Sequence, residues 1–556
     1  MPPHPQSART APSRTSPPTP TQLKSLNRQA PRPEFVRPSR TLFLGPKSGL
    51  VAVLAEFAAL GIAALKCAAP LSLAACAAQA AHYAAHGTLA GAASRPRVAK
   101  LLTALAAVEA VFFLARRTQL LVFMQRYEAP DRVPHLTLAE RDALFRRCLA
   151  VVASPRFFVE SWFDPVRAYE TLKRGNLREL LSWAMFYTST PDDALGAPEL
   201  AQLEDMVRLV EERAGALEPG HDASARVLKF TDEPVVGQHR PLLMYAVTDT
   251  LFQSVLAPLA MSRAGYRRAR ATNGLVHWFR PGARGDLPPI VFIHGIGVGI
   301  LPYQRWLRQL ERLCDGGGLG EGEGAPGTAL AGRGILVFEV DVISQRVLPV
   351  ALTCDGFVED AREALRSTGR FKRACFVGHS YGTFACSLLV KRAPELVASV
   401  GLIDPVCLLL FQPSVLYNIC YHRAAANAVE YTLDFVMRAE VSLQHHLRRS
   451  FFWFRYCLFL EEINTRDVPT FVVVSDDDQL VPVHDVLDYV ERYNAGRVVD
   501  VPGARALPSG HVELLHFQRA DHAGFLFNLD HGHDILLALE RVVARTDAAR
   551  GESPPS

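Results

Sequence analysis

Three side chains of the types used in nucleophilic catalysis stand far apart in this chain of 556 residues. Ser380 lies in Gly-His-Ser-Tyr-Gly, Asp478 in Asp-Asp-Asp-Gln-Leu-Val-Pro, and His522 in Ala-Asp-His-Ala-Gly. A serine hydroxyl becomes a nucleophile when a histidine removes its proton and a carboxylate orients that histidine. The sequence therefore predicts acyl transfer at Ser380, with His522 as the base and Asp478 as its partner.

The residues around Ser380 predict the element that would position it. An apolar run, Ala-Cys-Phe-Val, ends in Gly-x-Ser-x-Gly and opens into a segment rich in alanine and leucine. This pattern is typical of a strand, a sharp turn and a helix, the nucleophile elbow of the α/β-hydrolase fold. Gly378 and Gly382 would let the helix pack closely behind a serine whose backbone is strained. The pattern alone is a weak signal, so the assignment depends on the elements around it.

Apolar runs at regular intervals predict the sheet that would bring the three residues together. We expect strands at residues 275–279, 290–293, 335–341, 373–378, 397–403, 470–474 and 512–517, with helical patterns between several of them. This alternation is typical of a mostly parallel sheet with helices on both faces, and the chain order serine, acid, histidine is the order of this fold. Because parallel strands end at one edge of the sheet, residues about 140 positions apart meet there.

The loop after residues 290–293 predicts an oxyanion site. It reads His-Gly-Ile-Gly-Val-Gly, and a His-Gly pair roughly 80 residues before the elbow is where this fold places its first oxyanion loop. We expect the backbone N–H groups of Ile296 and Tyr381 to bind the oxyanion. His294 is expected to shape its loop by hydrogen bonding, and His379, beside the nucleophile, to pack.

The acid and the base each have rivals. Asp478 is favoured over Asp476 and Asp477 because it stands four residues before Pro482, and Asp404, after the run 397–403, is the alternative acid or else a helix cap. His522 is favoured as the base because it follows a convincing strand. The other histidines near the C-terminus are His511, His516, His531 and His533.

Residues 406–463 interrupt the alternation of strands and helices and are rich in aromatic side chains. Their position between two core strands predicts a cap over the active site. Two interpretations of the aromatic residues stay open: they line an apolar acyl or alkyl site, or they form ordinary core. A glycine-rich stretch at about 314–334 predicts a flexible surface insertion, and the hydrolase domain as a whole is expected at 271–545.

The N-terminal half predicts three further segments. Residues 1–45 are rich in Pro, Ser, Thr and Arg and are expected to be disordered. Residues 46–130 contain apolar runs at 50–65, 71–85 and 101–114, each shorter than the roughly 18 residues of a confident membrane span. These runs predict either a helical bundle or transmembrane helices, and flanking basic residues leave their orientation open. Residues 131–270 are expected to be helical and packed on the core, with a capping box at Thr137 and Glu140 and a helix starting at Asp164 and Pro165.

Composition excludes some classes of function. A net charge of +4 argues against a dedicated nucleic-acid binder. Ten cysteines are scattered without a metal-ligand spacing, which favours reduced thiols in an intracellular protein over disulfides or zinc. We therefore expect neither a metal nor a cofactor.

From about Glu109 onward, the chain resembles large α/β-hydrolase proteins of fungi, serine hydrolases of the AB hydrolase-1 type with an N-terminal helical region. The motifs that carry the resemblance are FIHGIGVG, GHSYG, LIDPV and ADHAG, at residues 292–299, 378–382, 402–406 and 520–524. The resemblance implies the fold and a Ser-His-Asp hydrolase, carried by Ser380, Asp478 and His522. It supplies no substrate, although a serine rather than an aspartate at position 380 disfavours epoxide and haloalkane chemistry.

These observations predict an intracellular, membrane-associated serine hydrolase, of the esterase or lipase kind, that acts on an apolar ester or a lipid. Two alternatives stay open: a catalytically inactive membrane scaffold with this fold, and an acyltransferase that uses the same acyl-enzyme. The sequence does not indicate an oligomeric state.

Overall fold

The computed structural model describes residues 49–87, 97–125, 135–317, 328–421, 431, 434–464, 467–495 and 512–549. The predicted disordered segment 1–45 lies outside these residues. So do residues 318–327 of the predicted surface insertion, residues 422–430 of the predicted cap, and His511.

An eight-stranded sheet lies at the centre of the fold. Its strands are β1 Arg267–Arg270, β2 Val276–Arg280, β3 Ile290–Ile293, β4 Ile335–Glu339, β5 Ala374–His379, β6 Val397–Ile403, β7 Thr470–Ser475 and β8 Glu513–Phe517. Their order across the sheet is β1-β2-β4-β3-β5-β6-β7-β8. Strand β2 runs antiparallel to β1 and β4, and the other neighbours are parallel. This is the topology of the α/β-hydrolase fold, and the predicted fold class is confirmed.

Strand β1 was not predicted from the sequence. Its four residues, Arg-Arg-Ala-Arg, are all exposed, so they show no apolar alternation. They pair with β2 at the edge of the sheet, where charged side chains also discourage pairing with another chain.

Both faces of the sheet are buried, which explains the continuous apolar runs in its strands. Alternate residues contribute to two separate clusters: Val291 and Phe376 point to one face, and Phe292 and Cys375 to the other. Helices and helical turns surround the sheet, as expected of an α/β protein.

The helices are α1 Gly49–His86, α2 Arg97–Thr118, α3 Leu138–Val151, α4 Pro155–Glu160, α5 Arg174–Phe186, α6 Pro191–Ala194, α7 Ala197–Ala214, α8 Leu242–Arg263, α9 Gln304–Cys314, α10 Cys354–Gly369, α11 Gly382–Arg392, α12 Pro413–Cys420, α13 Val441–Arg449, α14 Trp453–Tyr456, α15 Leu460–Asn464, α16 Val483–Asn494 and α17 Leu529–Ala549. Within α8, the stretch Ala246–Leu256 is a π-helix, and a π-helical turn Gln119–Phe123 continues α2.

The apolar runs at 50–65 and 71–85, predicted as separate, form the single helix α1 with Pro70 inside it. Alanine before Pro70 and leucine after it both have high helix propensity, which favours continuation through the proline. Helix α2 packs against α1 and is also longer than the predicted run 101–114.

Most residues between 135 and 230 lie in helices, and one predicted helix start in this region is wrong. The capping box is present, since Glu140 N–H donates to Thr137 Oγ1 and Thr137 N–H donates to Glu140 Oε2 (3.2 and 2.8 Å). No helix starts at Asp164 and Pro165. Phe163–Asp164 instead pairs with Arg226–Val227 in a short antiparallel ladder, which the Arg226 side chain reinforces by donating to Asp164 Oδ2 (3.0 Å).

Candidate active site

Ser380 lies on the sharp turn between β5 and α11. Its φ of 51° is in the left-handed region, a strain that costs about 1–3 kcal/mol and is typical of functional sites. The turn requires glycine on both sides: a Cβ at Gly378 would lie 2.5 Å from the Gly382 carbonyl oxygen, and one at Gly382 would lie 2.1 Å from the Ile293 oxygen. The Ser380 N–H donates to the Ile403 carbonyl (2.9 Å), which fixes the turn to the end of β6.

The imidazole of His522 lies between the serine and a carboxylate. Its Nε2 is 2.8 Å from Ser380 Oγ, and its Nδ1 is 2.7 Å from Asp478 Oδ2. The other carboxylate oxygen, Asp478 Oδ1, accepts from the backbone N–H groups of Leu480 and Val481 (2.7 and 3.0 Å). All three side chains are buried, so the array holds the serine proton on one side of the ring and a fixed negative charge on the other.

The surroundings of His522 favour its protonated form. Burial alone lowers the pKa of this imidazole, but the charge of Asp478, its hydrogen bond and the more distant charge of Asp404 outweigh burial. Together they raise the pKa of His522 to about 9. These surroundings therefore stabilise the imidazolium form of His522.

Asp404, the alternative acid, lies at the end of β6 with a φ of 46°. Its carboxylate accepts from the Ser475 hydroxyl (2.7 Å) and from the Ala523 N–H (2.8 Å), the residue after His522. Burial raises the pKa of Asp404, but the neighbouring imidazoles and the Ala523 N–H outweigh this and hold the pKa below its usual value. Asp404 therefore holds the backbone of the histidine loop, whereas Asp478 bonds the histidine ring.

His379 forms a second imidazole–carboxylate pair beside the first. Tyr303 OH accepts from the Gly295 N–H (3.0 Å) and donates to His379 Nδ1 (2.7 Å). His379 Nε2 is 3.6 Å from Asp404 Oδ2, too far for a hydrogen bond. Burial lowers the pKa of His379, and the positive field of His522 adds to this while Asp404 opposes it. The His379 ring is therefore neutral near pH 7.

The loop 294–299 lies directly against Ser380, since a Cβ at Gly295 would be 2.9 Å from Ser380 Cβ. His294 Nε2 accepts from the Val340 N–H (3.0 Å) and its Nδ1 lies 2.8 Å from the Gly295 carbonyl. Burial lowers the pKa of His294 to about 4, so this ring is neutral. Its two contacts shape the loop, as expected. In the described part of the chain, the N–H groups of Ile296 and Tyr381 have no backbone acceptor.

The described contacts of the rival residues do not involve Ser380. Asp476 Oδ1 bonds His516 Nε2 (3.1 Å), and the Asp477 N–H bonds the Ala520 carbonyl (2.9 Å). His531 stacks on Phe517 with 4.2 Å between ring centroids, and His533 follows it on α17. Among the described histidines named as candidate bases, only His522 meets Ser380.

An open pocket of about 420 Å³ adjoins His522. Its described lining comes from residues 406–463 and from the acid loop: Asn418, Ile419, Met437, Arg438, Gln479 and Leu480. The aromatic residues of the segment 406–463 lie elsewhere. Phe411 contacts Phe158, Phe452 contacts Tyr187, and the Trp453 indole donates to the Ala184 carbonyl (3.0 Å). They pack this segment against the N-terminal helical layer, where Phe411 and Trp453 also line an apolar cavity of about 620 Å³.

Two polar side chains near the site were not predicted to have a role. Tyr303 joins the oxyanion loop to His379, as described above, and His446 Nε2 lies 2.7 Å from the hydroxyl of Tyr381. Burial lowers the pKa of His446 to about 4, so its ring is neutral and forms a hydrogen bond with the tyrosine hydroxyl. An aromatic residue and a histidine on helices carry no sequence signal that distinguishes them from core.

Asp404, Asp478 and His522 offer one ligand atom each within 4.8 Å of one another, a spacing that would suit a metal ion. Both nitrogens of His522 already have partners, as do the oxygens of both carboxylates. Each of these ligand atoms would therefore have to give up a hydrogen bond to hold a metal ion.

No protein-family model matches the sequence, and no curated protein matches it. Solved structures that resemble it include a bacterial membrane phospholipase A (16% identity, 54% of this chain and 94% of that chain, TM-score 0.35). Carboxylesterase CesB of Bacillus subtilis is another (11%, 53% and 98%, TM-score 0.35). A third is 2-hydroxy-6-oxo-6-phenylhexa-2,4-dienoate hydrolase of Rhodococcus sp. strain RHA1 (14%, 50% and 99%, TM-score 0.32). Similarity at this level does not identify a substrate.

Proposed function

We propose that this protein is a serine hydrolase that cleaves a carboxylic ester through an acyl-enzyme on Ser380. The observation that carries the proposal is the position of the His522 ring, 2.8 Å from Ser380 Oγ and 2.7 Å from Asp478 Oδ2. A hydrolase-fold scaffold without catalytic activity would not need this proton path or the strained serine.

In this mechanism, Ser380 Oγ attacks the ester carbonyl as its proton moves to His522 Nε2. Asp478 stabilises the imidazolium, and the N–H groups of Ile296 and Tyr381 bind the oxyanion, each worth about 3 kcal/mol in comparable sites. His522 then protonates the leaving alcohol. Water, activated by the same histidine, releases the acid and restores Ser380.

A fluorophosphonate probe tests this assignment, because it reacts covalently with an activated serine. We expect labelling at Ser380 in the full-length protein and a loss of at least about 10³-fold in the Ser380→Ala variant. Ser399, a buried serine in strand β6, offers a matched control. We expect Ser399→Ala to leave the labelling rate unchanged. Labelling that survives Ser380→Ala contradicts the proposal.

An acyltransferase would form the same acyl-enzyme, so labelling does not separate the two reactions. Product analysis with and without a primary alcohol acceptor does so. We expect free acid as the main product under both conditions. A predominance of the transferred ester would assign the acyltransferase activity instead.

We further propose that the protein is intracellular and associated with a membrane. The support comes from α1 and α2, whose apolar stretches Ala59–His86 and Arg97–Phe123 have 28 and 27 residues and are mostly exposed. Such lengths, about 40 Å as helix, suffice to cross the hydrocarbon layer. A substrate with an apolar acyl group is consistent with this location. Fractionation without detergent tests it, and recovery of the full-length protein in the soluble fraction would contradict it.

A further inference from the structure

Helix α8 exposes one apolar face along its whole length. Five exposed side chains, 37–64% accessible, follow one another at a constant spacing of four residues: Leu243, Val247, Leu251, Val255 and Leu259. In a regular α-helix this spacing drifts sideways by about 40° at each step. The π-helical stretch Ala246–Leu256 has more residues per turn than an α-helix. Four residues there cover less than a full turn, which offsets the drift. The five side chains therefore form one row, here called the apolar row.

The opposite face of α8 is fixed to the hydrolase core by polar contacts. Asp249 pairs with Arg346 (2.8 Å) and accepts from the Val347 N–H (2.9 Å). The Gln253 amide donates to the Ser344 carbonyl, outside the helix, and to the Thr248 carbonyl within it (3.0 Å). With 22 residues α8 is long enough to cross a bilayer, but a helix bonded along one face to a loop of the sheet lies on a surface instead.

Exposed arginines follow the apolar row directly. They stand at the end of α8 and on the edge strand β1: Arg263, Arg267, Arg268 and Arg270, here called the arginine cluster. The nearest acids make only long contacts, Glu339 with Arg268 at 3.8 Å and Asp341 with Arg270 at 4.0 Å. Basic residues beside an apolar helix face are the pattern of a helix that lies in an anionic membrane surface.

A second helix with exposed apolar side chains, α2, lies against the start of α8. Helix α2 is joined to the start of α8 through Glu109, which bonds His239 Nε2 (2.7 Å) and the Leu242 N–H (2.8 Å). Rings of Phe112 and Tyr245 lie 5.8 Å apart at the same junction. Helix α2 itself exposes Val98, Leu101, Leu102, Leu105, Val108, Val111 and Leu114. A lipid surface is large enough to cover the exposed side chains of both helices at once, whereas a single small partner is not.

Helix α8 also touches the loop beside the nucleophile. A Cβ at Gly299 would lie 2.9 Å from Gln253 Oε1, so the glycine permits contact between α8 and the loop 294–299. We propose that the apolar row and the arginine cluster dock α8, in the plane of the membrane, on an anionic phospholipid bilayer. Docking places the loop 294–299 at the headgroup layer. That the site then takes an ester from the bilayer rests on the proposed hydrolase function.

Tryptophan quenching tests the docking without any activity. The five native tryptophans are all buried, so a tryptophan introduced at the surface reports its own surroundings. The full-length protein is reconstituted in phosphatidylcholine–phosphatidylserine vesicles whose acyl chains carry bromine. We expect the added emission of the Leu251→Trp variant to be quenched and blue-shifted. The matched variant Val166→Trp, at an exposed position in the N-terminal helical layer, stays unquenched.

The other outcomes overturn the proposal. If both variants are unquenched, the apolar row faces water. A blue shift of Leu251→Trp that depends on protein concentration, in detergent and without bromine quenching, would assign the row to a second copy of this chain.

The arginine cluster is tested in the same vesicles. In the Leu251→Trp background, Arg263→Gln with Arg267→Gln should weaken docking about fivefold per arginine removed. The loss should vanish when phosphatidylserine is left out. Quenching that is independent of both the arginines and phosphatidylserine overturns the anionic part of the proposal.

An activity measurement connects docking to the site. The double variant Leu251→Glu and Val255→Glu should hydrolyse a long-chain ester in vesicles at least about tenfold more slowly. Hydrolysis of a short-chain, water-soluble ester should not change, and Leu138→Glu with Val166→Glu is the control at exposed apolar positions outside α8. Equal rates on the vesicle substrate overturn the connection. If the unaltered protein hydrolyses neither ester, the hydrolase proposal fails while the quenching result stands.

Discussion

Two imidazole–carboxylate pairs lie side by side at the carboxyl edge of the sheet, and they differ in what they bond. His522 bonds Ser380 Oγ through one nitrogen and Asp478 through the other. His379 bonds Tyr303 through one nitrogen, and its other nitrogen is 3.6 Å from Asp404. Both rings are buried, yet the pKa of His522 is raised and that of His379 is lowered. Burial and residue type alone therefore do not set the pKa of these rings; a carboxylate within hydrogen-bond distance raises it.

The second pair supports the first. Asp404 fixes the backbone at Ala523, and Tyr303 joins His379 to Gly295 in the loop beside the nucleophile. The His379 and His522 rings lie 5.4 Å apart, so a change in one pair is felt in the other. The comparison predicts that variants of the first pair abolish catalysis, whereas variants of the second reduce it.

The largest difference should appear when each histidine is replaced. His522→Gln removes the proton acceptor, and we expect kcat/KM on a short-chain ester to fall by at least about 10⁴-fold. His379→Gln keeps a polar side chain beside Tyr303, so the loss should stay within about tenfold. Initial rates of ester hydrolysis measure both. A comparable loss in the two variants would make His379 a second essential base and end the distinction between the pairs.

The two carboxylates should differ in the same direction. Asp478→Asn keeps the shape of the side chain but removes the charge that stabilises the imidazolium, and we expect a loss of about 10³–10⁴-fold in kcat. Asp404→Asn should cost about tenfold in kcat. It should also lower the free energy of unfolding by about 1–3 kcal/mol, because a buried acceptor of two hydrogen bonds is weakened. Rates and thermal unfolding separate the two effects. A larger kinetic loss in Asp404→Asn would assign the role of the acid to Asp404.

The pH dependence of the rate sharpens the comparison further. Because His522 must be neutral to accept the serine proton, a pKa near 9 means that kcat/KM rises with pH up to that value. Asp478→Asn should lower the apparent pKa of the rate most, since it removes a charge and a hydrogen bond. Asp404→Asn should lower it less, since it removes only a more distant charge. Profiles with identical midpoints in all three proteins would contradict this assignment.

The two histidines should also affect stability in opposite directions. The pKa of His522 is above its usual value of 6.5, so its contribution, at most about 3 kcal/mol, is full below pH 6.5 and is lost as the pH rises through about 9. The pKa of His379 is below 6.5, so its neutral form stabilises the fold above pH 6.5, and that contribution is lost in acid. Unfolding curves of His522→Gln and His379→Gln between pH 5 and about 9.5 measure both. Parallel curves for the two variants would contradict the opposite shifts.

The sequence predicted those parts of the fold that depend on local pattern. Buried parallel strands are apolar along their length, and the elbow needs Gly378 and Gly382. The strands and the elbow could therefore both be predicted from the sequence. Strand β1 was missed because its exposed arginines show no alternation. The prediction that a helix starts at Asp164 was wrong because Phe163–Asp164 pairs with Arg226–Val227, and this pairing decides the local structure. The sequence also ranked Asp478 above Asp404. That Asp478 bonds the His522 ring, whereas Asp404 bonds the Ala523 N–H, became visible only in the folded sheet.

The contacts of Tyr303 had no local signal, and they give the smallest and most specific comparison. Tyr303→Phe removes a hydroxyl that accepts from the Gly295 N–H and donates to His379 Nδ1, while the aromatic packing on Phe292 is retained. We expect a loss of about 1 kcal/mol in the free energy of unfolding and a reduction of two- to fivefold in kcat, with KM unchanged. The reason is that loop 294–299 loses one anchor while the Ser380–His522–Asp478 array keeps its contacts.

The variant also indicates which pair the tyrosine serves. If Tyr303 acts through the loop, Tyr303→Phe lowers kcat but leaves the midpoint of the pH profile in place, because His522 keeps both of its partners. If it acts through the charge near His522, the midpoint moves. Tyr266→Phe is a matched control, a buried tyrosine that precedes β1, packs on the same face of the sheet and should leave the kinetic constants unchanged. A shifted midpoint in Tyr303→Phe alone would show that the second pair tunes the base itself and does more than hold the loop.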